Sequence, residues 1–302
     1  MDRSDGSGLK PALAELVALR ATAQRRPPAR KGRHSATGPA QSNQRGRGME
    51  YAESREYVAG DDVRHIDWRL TARSGRTHTK LFQAERERLT LVVADTSPAL
   101  YFGTRVRFKS VQAARAAAVA VWAAVRDGDR VAILRGSTQE APVPPASGAR
   151  GALRVLDALV RWYSQAPADD AGLSVALDNA ERLLRPGSRL IVLADPRSLA
   201  SIAESRWPAL AVHHEVTVLL LTDALESEPP KATLPFSSGN HRLELDLGDA
   251  GQRKRWQDEF NRPVERALET LPRRGVRVYS LQGDAPSESW LPLLGRARSQ
   301  VA

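Results

Sequence analysis

The sequence contains no cysteine and no long apolar stretch. A disulfide framework and a catalytic thiolate are therefore excluded, and the composition is typical of a reducing compartment. No apolar run approaches the roughly 20 residues that a membrane helix needs, and the N-terminus lacks the apolar core of a signal peptide. We therefore predict a soluble, cytoplasmic protein without a membrane span.

Motifs that identify common enzymes are also absent. The sequence has no GxSxG nucleophile elbow, no GxxxxGK[ST] phosphate loop and no HExxH zinc motif. We therefore predict that the protein is not an enzyme, and that any energy from ATP hydrolysis comes from a partner.

The net charge of +10 is unevenly distributed. Residues 1–48 contain ten Lys or Arg and three Asp or Glu, so +7 of the charge lies there and the remainder is nearly balanced. The basic stretch RRPPARKGRH mixes Arg with Pro and has no aromatic residue to stack on a base. This pattern favours a solvated arm over a nucleic-acid contact, although binding of nucleic acid through the arm stays open as an alternative.

Helical and β-branched segments alternate through most of the chain. TLVVAD at residues 90–95 is typical of a buried parallel strand. Helical patterns that run through a turn into a further strand predict doubly wound α/β architecture, with a mainly parallel sheet and helices on both faces. The predicted strands that follow are DRVAILRG, SRLIVLAD, EVTVLLLTD and VRVYSLQG.

Three parts of the chain are predicted from these patterns. Residues 1–48 comprise a helix over 9–24, ended by RRPP, and a basic linker. Residues 49–87 form an extended, charged segment that packs on the main domain. Residues 88–302 form the α/β domain, in which the alternating run at 231–247 predicts a hairpin or an edge strand.

Acidic residues end three of the predicted strands: Asp95, Asp195 and Asp223. In an open α/β sheet, ligands bind beyond the carboxyl ends of the strands, where the strand order reverses. The sequence therefore predicts a crevice near Asp95 and Asp195. In a simpler interpretation these acids cap the turns and helices that follow.

The stretch ADTSPA resembles the metal-ion-dependent adhesion motif of von Willebrand factor A domains, Asp-x-Ser-x-Ser after the first strand. Asp95 and Ser97 match the motif, Asp195 matches a later acid of that family, and Ala99 stands where the second serine is expected. The resemblance implies a Mg²⁺ site, and a hard cation of this kind prefers oxygen ligands in a near-octahedral shell.

A loop threonine of the same motif also lacks a direct counterpart. The corresponding position holds Ala171, unless Ser174, Asp169 or Asp170 substitutes for the hydroxyl. With two oxygen ligands missing or uncertain, we expect weak Mg²⁺ binding or none, and we predict no other cofactor. A metal-dependent hydrolase using the crevice of Asp95 and Asp195 remains an alternative function.

Residues 46–86 carry the most specific pattern in the chain, including EYVAGDDVRHIDWRLTAR. They resemble the signature of the bacterial "domain of unknown function 58" family, whose members look like von Willebrand A-type folds. The matching residues are Gly46, Gly48, Glu50, Tyr51, Arg55, Tyr57, Gly60, Asp61, Asp62, Arg64, Ile66, Asp67, Trp68, Ala72, Arg73 and Glu85.

The charged residues of the signature allow three interpretations. Carboxylates such as Asp61 and Asp62 can satisfy backbone donors or pair with nearby arginines, forming a salt-bridged collar on the main domain. The same charges, with Trp68, can form a docking surface for a partner. Catalysis by the acids is the least favoured interpretation, because surrounding arginines keep carboxylates ionised.

Many members of the resembled family are encoded near MoxR-type AAA+ ATPases. The resemblance implies a non-enzymatic adaptor protein that works with such an ATPase in the assembly or maturation of protein complexes.

Overall fold

The computed structural model describes residues 8–24, 49–84, 88–238 and 241–294. The predicted basic linker at 25–48 and the signature residues Gly46, Gly48 and Glu85 lie outside these ranges. The described residues belong to two compact units, one from the ranges 1–33 and 88–302 and the other from the range 34–87.

Ten strands occur in the described residues. In chain order they are β1 (Met49–Glu56), β2 (His78–Ala84), β3 (Leu89–Ala94), β4 (Arg130–Arg135), β5 (Val143–Ala146), β6 (Arg189–Ala194), β7 (Glu215–Thr222), β8 (Thr233–Ser238), β9 (His241–Asp246) and β10 (Arg277–Gln282).

Nine α-helices accompany these strands in the same part of the chain. They are α1 (Leu13–Gln24), α2 (Trp68–Ser74), α3 (Lys109–Arg126), α4 (Gly148–Ser164), α5 (Gly172–Leu183), α6 (Pro196–Ala200), α7 (Arg206–His213), α8 (Ala224–Ser227) and α9 (Ala250–Arg273). None of these helices is both long and apolar enough to span a bilayer.

The first unit is built on a six-stranded sheet in the order β10-β7-β6-β3-β4-β5. All neighbouring strands are parallel except β5, which runs antiparallel to β4 at the edge. The predicted α/β class with a mainly parallel sheet is therefore confirmed. The chain moves outward from β3 to β4 and β5, then returns to β6 on the other side of β3, so the strand order reverses between β3 and β6.

Helices cover both faces of this sheet. Residues alternate along β3, so that Val92 belongs to the core beneath α1, α3 and α4, whereas Leu91 and Val93 belong to the core beneath α5, α7 and α9. Burial on two faces explains why these strands are continuous apolar runs and do not alternate with polar residues. Each fully buried Leu or Val contributes roughly 1.5–3 kcal/mol to folding.

Helix α3 lies deepest in the first unit. Its alanines from Ala113 to Ala124 are all buried, and their small side chains allow α1, α4 and the sheet to approach closely. The first residue of the helix, Lys109, is also completely buried, which is unusual for a lysine. Its position at the sheet's carboxyl edge places it in the candidate site.

The second unit contains the signature residues. Strands β1 and β2 pair antiparallel, with a bulge between Tyr51 and Glu53, and a 3₁₀ turn (Val63–His65) and α2 lie between them in the chain. The sequence predicted only an extended segment here. In the first unit, residues 231–247 were predicted as a hairpin or an edge strand, and they contain the antiparallel pair β8 and β9, which agrees with the hairpin.

Candidate functional site

The carboxyl ends of three adjacent strands bring the predicted acids together. Asp95, Asp195 and Asp223 follow β3, β6 and β7, which are neighbours in the sheet, and all three are buried. These residues lie at or beside the point where the strand order reverses, where α/β folds commonly bind ligands. The acids predicted from the strand ends are therefore neighbours at one edge of the sheet, and we use the word crevice for this place between the strand ends.

Asp95 joins the ends of β3 and β6. One carboxylate oxygen, Oδ1, accepts a hydrogen bond of 2.9 Å from the backbone N–H of Ser97, and Oδ2 accepts one of 2.9 Å from the N–H of Asp195. The Tyr163 hydroxyl donates to the carbonyl oxygen of Asp95 at 2.8 Å. Burial raises the pKa of the Asp95 carboxyl, and the two backbone donors oppose this shift.

Asp195 pairs with a buried ammonium group that the sequence analysis did not identify. Its Oδ1 accepts from the backbone N–H of Arg197 at 2.9 Å, and its Oδ2 lies 2.8 Å from the Nζ atom of Lys109. The same ammonium lies 2.6 Å from Oε1 of Glu226. Lys109 therefore pairs with two carboxylates in a buried region, where charged groups require such pairing. The guanidinium of Arg197 is a second cation beside Asp195, with its Nε atom 3.4 Å from Oδ1.

Glu226 connects this charge cluster to Asp223. The Oε2 atom of Glu226 accepts a hydrogen bond of 3.0 Å from the N–H of Asp223, completing a capping box at the start of α8. Both carboxylate oxygens of Asp223 are engaged by Thr104, through its backbone N–H and its hydroxyl. Burial raises the pKa of Glu226, while the nearby ammonium of Lys109 opposes the increase.

The remaining motif positions occupy different places. The hydroxyl of Ser97 accepts a hydrogen bond of 3.2 Å from Ser198, and Ala99 lies in the short turn Pro98–Leu100. Among the four loop candidates, Asp170 reaches the crevice: it accepts a hydrogen bond of 2.9 Å from the hydroxyl of Thr96, beside Asp95.

The other three loop candidates do not make this contact. Asp169 pairs with Arg135 at 2.7 Å and accepts a hydrogen bond from Ser137, whereas Ala171 donates its N–H to a backbone carbonyl and Ser174 is exposed.

The surroundings of the Asp95 and Asp195 carboxylates do not fit a Mg²⁺ coordination shell. Both carboxylates already accept hydrogen bonds through each oxygen, and the Lys109 ammonium lies where a second positive charge would be repelled. Among the described residues, no three His, Cys, Asp or Glu side chains are grouped so that they could hold a metal ion.

We expect millimolar Mg²⁺ or Mn²⁺ to leave the melting temperature of the chelator-treated protein unchanged and to give no heat of binding in calorimetry. The reason is that a cation would have to displace either backbone donors or the Lys109 ammonium from the carboxylates. Saturable stabilisation by metal that disappears in Asp95→Ala would contradict this prediction.

The signature acids are used within their own unit. Asp61 accepts from the N–H of Val58 at 3.0 Å and pairs with Arg55 at 2.7 Å, while the hydroxyl of Tyr57 donates to the carbonyl of Asp61 at 3.3 Å. Gly60, with φ of 108°, provides the left-handed backbone that this turn requires.

Asp62 and Asp67 act as caps in the same segment. Asp62 accepts from the N–H of Arg64 at the start of the 3₁₀ turn, and their side chains lie 3.6 Å apart. Asp67 caps α2 by accepting from the N–H of Leu70 at 3.1 Å, and it also accepts from Ser54 at 3.0 Å. The backbone donor from Leu70 is the main cause that lowers the pKa of Asp67.

Several side chains of the second unit, both signature residues and their neighbours, are exposed to solvent. Trp68 is 70% exposed, Val58 is 59% and Val63 is 61%, and the side chains of Arg64 and Arg73 are exposed as well. Of the salt-bridged collar that the sequence predicted, the ion pair between Arg55 and Asp61 within the segment is observed. Packing of the segment on the main domain stays a prediction.

Comparison with known proteins places the chain in a family. The family model described as "Protein of unknown function DUF58" matches residues 53–266. The chain belongs to the DUF58 family. The match begins at Glu53, within β1, and covers β2 and the strands β3 to β7 of the six-stranded sheet. The residues Asp95, Lys109, Asp195 and Glu226 all lie in the matched range.

Three mycobacterial proteins described as uncharacterized are similar to this DUF58 protein. One protein of Mycobacterium bovis and two of Mycobacterium tuberculosis are each 32% identical over 190 residues, covering 61% of this chain. The chain matches 58% of the length of each of those relatives. A solved structure of an uncharacterized membrane-spanning protein from Vibrio fischeri matches 68% of this chain and 95% of its own, with 11% identity and a TM-score of 0.22.

Sequence reasoning missed Lys109 and Glu226, although each left a signal. Glu226 follows Asp223 by three residues, the spacing of a capping box. Lys109 begins an alanine-rich helix whose pattern predicts burial on most sides. Burial of the helix, together with the acids that end the strands, makes Lys109 a candidate for an ion pair, since a lysine is almost never buried without a partner.

Proposed function

We propose that this DUF58 protein is a non-enzymatic adaptor of a MoxR-type AAA+ ATPase, acting in the assembly or maturation of protein complexes. The observation that carries the proposal is a contrast within the signature unit between acids that form local hydrogen bonds and a tryptophan that is exposed. Its acids Asp61, Asp62 and Asp67 are engaged in turns and caps, whereas Trp68 is exposed. Because these acids stabilise turns and helix ends, the unit is better suited to presenting a binding surface than to catalysis.

The exposed residues of the unit have the chemistry of a protein-binding surface. Tryptophan and arginine are the residues most enriched among those that dominate binding energies at interfaces. Here a largely exposed Trp68 occurs in the same unit as the exposed Arg64 and Arg73, and Val58 and Val63 add apolar area. We call Val58, Val63 and Trp68 the signature surface, and we propose that it contacts the ATPase.

The crevice supports the non-enzymatic part of the proposal. Catalytic acids and bases need a free lone pair or proton directed at a substrate. In the crevice, the oxygens of Asp95 and Asp195 accept hydrogen bonds from backbone N–H groups and from Lys109. We further propose that the main domain is von Willebrand A-like, which the acids at the carboxyl edge and the single antiparallel edge strand support.

The experiment is an affinity measurement between this protein and a MoxR-type ATPase of the same organism, with ATP, with ADP and without nucleotide. We expect Trp68→Ala to weaken binding by about 30-fold, the effect typical of an interface hot spot. Because the side chain is exposed, its removal should change the free energy of unfolding by no more than about 0.5 kcal/mol.

The matched control is Leu243→Ala, which removes an apolar side chain that is 59% exposed in the other unit. This variant should bind the ATPase like the parent protein. Equal binding by Trp68→Ala and the parent would contradict the assigned surface. Failure to bind the ATPase in every nucleotide state would contradict the adaptor function itself.

A further inference from the structure

A groove of about 670 Å³ is formed by residues of the first unit, whereas the signature residues belong to the second unit. One wall is the stretch 140–144, where the chain enters the edge strand β5, and the other is the outer face of α4. The walls combine apolar side chains, including Pro142, Val143 and Leu153, with charged residues of α4.

The charges along this groove are not balanced. Arg161 pairs with Glu140 at 3.0 Å and with Asp157 at 3.3 Å, so one arginine engages both acids of the lining. Arg150 and Arg154 are exposed and form no ion pair with any residue that the structure describes. Being four residues apart on one helix, they are neighbours about 5–6 Å apart at their Cβ atoms.

The apolar part of the groove is also open to solvent. Leu153 precedes Arg154 on α4 and is 45% exposed. It lines the groove together with Pro142 and Val143. An exposed leucine between unpaired arginines combines an apolar contact with two cationic contacts. This combination suits a segment that has both an apolar side chain and carboxylates.

The edge strand itself disfavours one mode of binding. β5 has the sequence VPPA, and its two prolines, Pro144 and Pro145, have no N–H to donate to an added strand. Recognition in the groove would therefore depend on side chains and not on extension of the sheet.

We propose that this groove binds an acidic segment of a partner protein, with carboxylates against Arg150 and Arg154 and an apolar side chain against Leu153. The chain's own stretches 25–48 and 295–302 contain basic residues and no acid, so their charge is wrong for this groove. The proposal does not depend on binding of the ATPase, because it concerns different residues and a different unit.

The test uses a fluorescein-labelled peptide with glutamates at positions i and i+4 and a leucine between them, and its binding to the 302-residue chain is measured by fluorescence anisotropy. We expect binding at low salt that weakens as salt is added, because exposed charges are screened. Replacing both arginines, Arg150→Glu with Arg154→Glu, should weaken binding by about tenfold or more, through loss of attraction and added repulsion.

The matched control reverses two other exposed charges, Lys254→Glu with Arg255→Glu on α9, and changes the net charge equally. This control should keep nearly the parent affinity for the peptide. A further variant, Leu153→Ser, should weaken binding of the leucine peptide but not binding of a peptide in which alanine replaces the leucine. Circular dichroism and melting curves establish that each variant is folded.

Three results would overturn the proposal. The first is no binding of the glutamate peptide at low salt. The second is equal weakening by the two double variants, which would indicate attraction to the overall charge only. The third is tighter binding of a single-stranded oligonucleotide that is lost with Arg150→Glu and Arg154→Glu, which would assign the groove to nucleic acid.

Discussion

Replacing Lys109 by methionine is expected to destabilise the protein by about 3–5 kcal/mol, the usual effect of removing one partner from a buried ion pair. Methionine fills a similar volume, so the loss would arise from charge and not from a cavity. The Nζ atom lies 2.8 Å from Asp195 and 2.6 Å from Glu226, and the lysine is fully buried. Without it, Glu226 loses this ammonium in a buried region, while Asp195 keeps the guanidinium of Arg197, whose Nε atom lies 3.4 Å from Oδ1.

The measurement is the free energy of unfolding from urea titrations at several pH values. Lys254→Met, at an exposed lysine of α9, should change it by less than about 0.5 kcal/mol. Adding Glu226→Gln to Lys109→Met should restore part of the lost stability, because a neutral amide then replaces the carboxylate that lost its ammonium partner. A loss below about 1 kcal/mol for Lys109→Met would contradict a structural role for the ion pair.

Much of the first unit could be predicted from the sequence because its strands are buried on both faces. Continuous β-branched runs such as TLVVAD identify β3, and helical periods with glycine stops identify the helices between strands. The edge strand β5 was missed because the prolines of VPPA weaken any strand pattern. The hairpin of β1 and β2 was missed because charged residues obscure its alternation.

The candidate site was only partly predictable. Asp95 and Asp195 could be placed in one crevice because parallel strands bring their carboxyl ends to the same edge. The partner of Asp195 could not be found in this way, since Lys109 precedes it by 86 positions in the chain and reaches it only through packing of α3. Choosing Asp170 over Asp169 also required the structure, because Arg135 engages only the latter among these adjacent acids.

The signature segment illustrates the same limit. Its composition predicted that carboxylates would satisfy backbone donors or pair with arginines, and Asp61 does both. The identity of each partner depends on the hairpin that folds around it, which the sequence pattern did not reveal. Exposure of Trp68 was equally inaccessible from its spacing, because tryptophan is more often buried than exposed.

Truncation of Asp95 is the second change with a large expected effect. Asp95→Ala removes the acceptor for the backbone N–H groups of Ser97 and Asp195, which are held at 2.9 Å in the parent. Two donors left unsatisfied at a buried site cost about 2–4 kcal/mol in all. We therefore expect a loss of that size in the free energy of unfolding, compared with almost none for Asp258→Ala at an exposed position of α9.

The pH dependence separates this variant from Lys109→Met. Burial raises the folded-state pKa of Asp95 above its unfolded value of roughly 3.9, so the parent gains stability as pH falls through the raised pKa. Asp95→Ala lacks this gain, and its deficit relative to the parent should widen as pH falls.

The deficit of Lys109→Met should narrow instead. The ammonium opposes the raised pKa of Glu226, so its removal raises that pKa further and protonation at lower pH relieves the stranded charge. Stability curves of both variants that ran parallel to the parent's at all pH values would contradict these two expectations. The pKa of Asp95 would then be the same in the folded and unfolded protein, and the pKa of Glu226 would not depend on Lys109. The crevice would then owe its stability to packing and to neutral hydrogen bonds, and Lys109 would have no electrostatic role there.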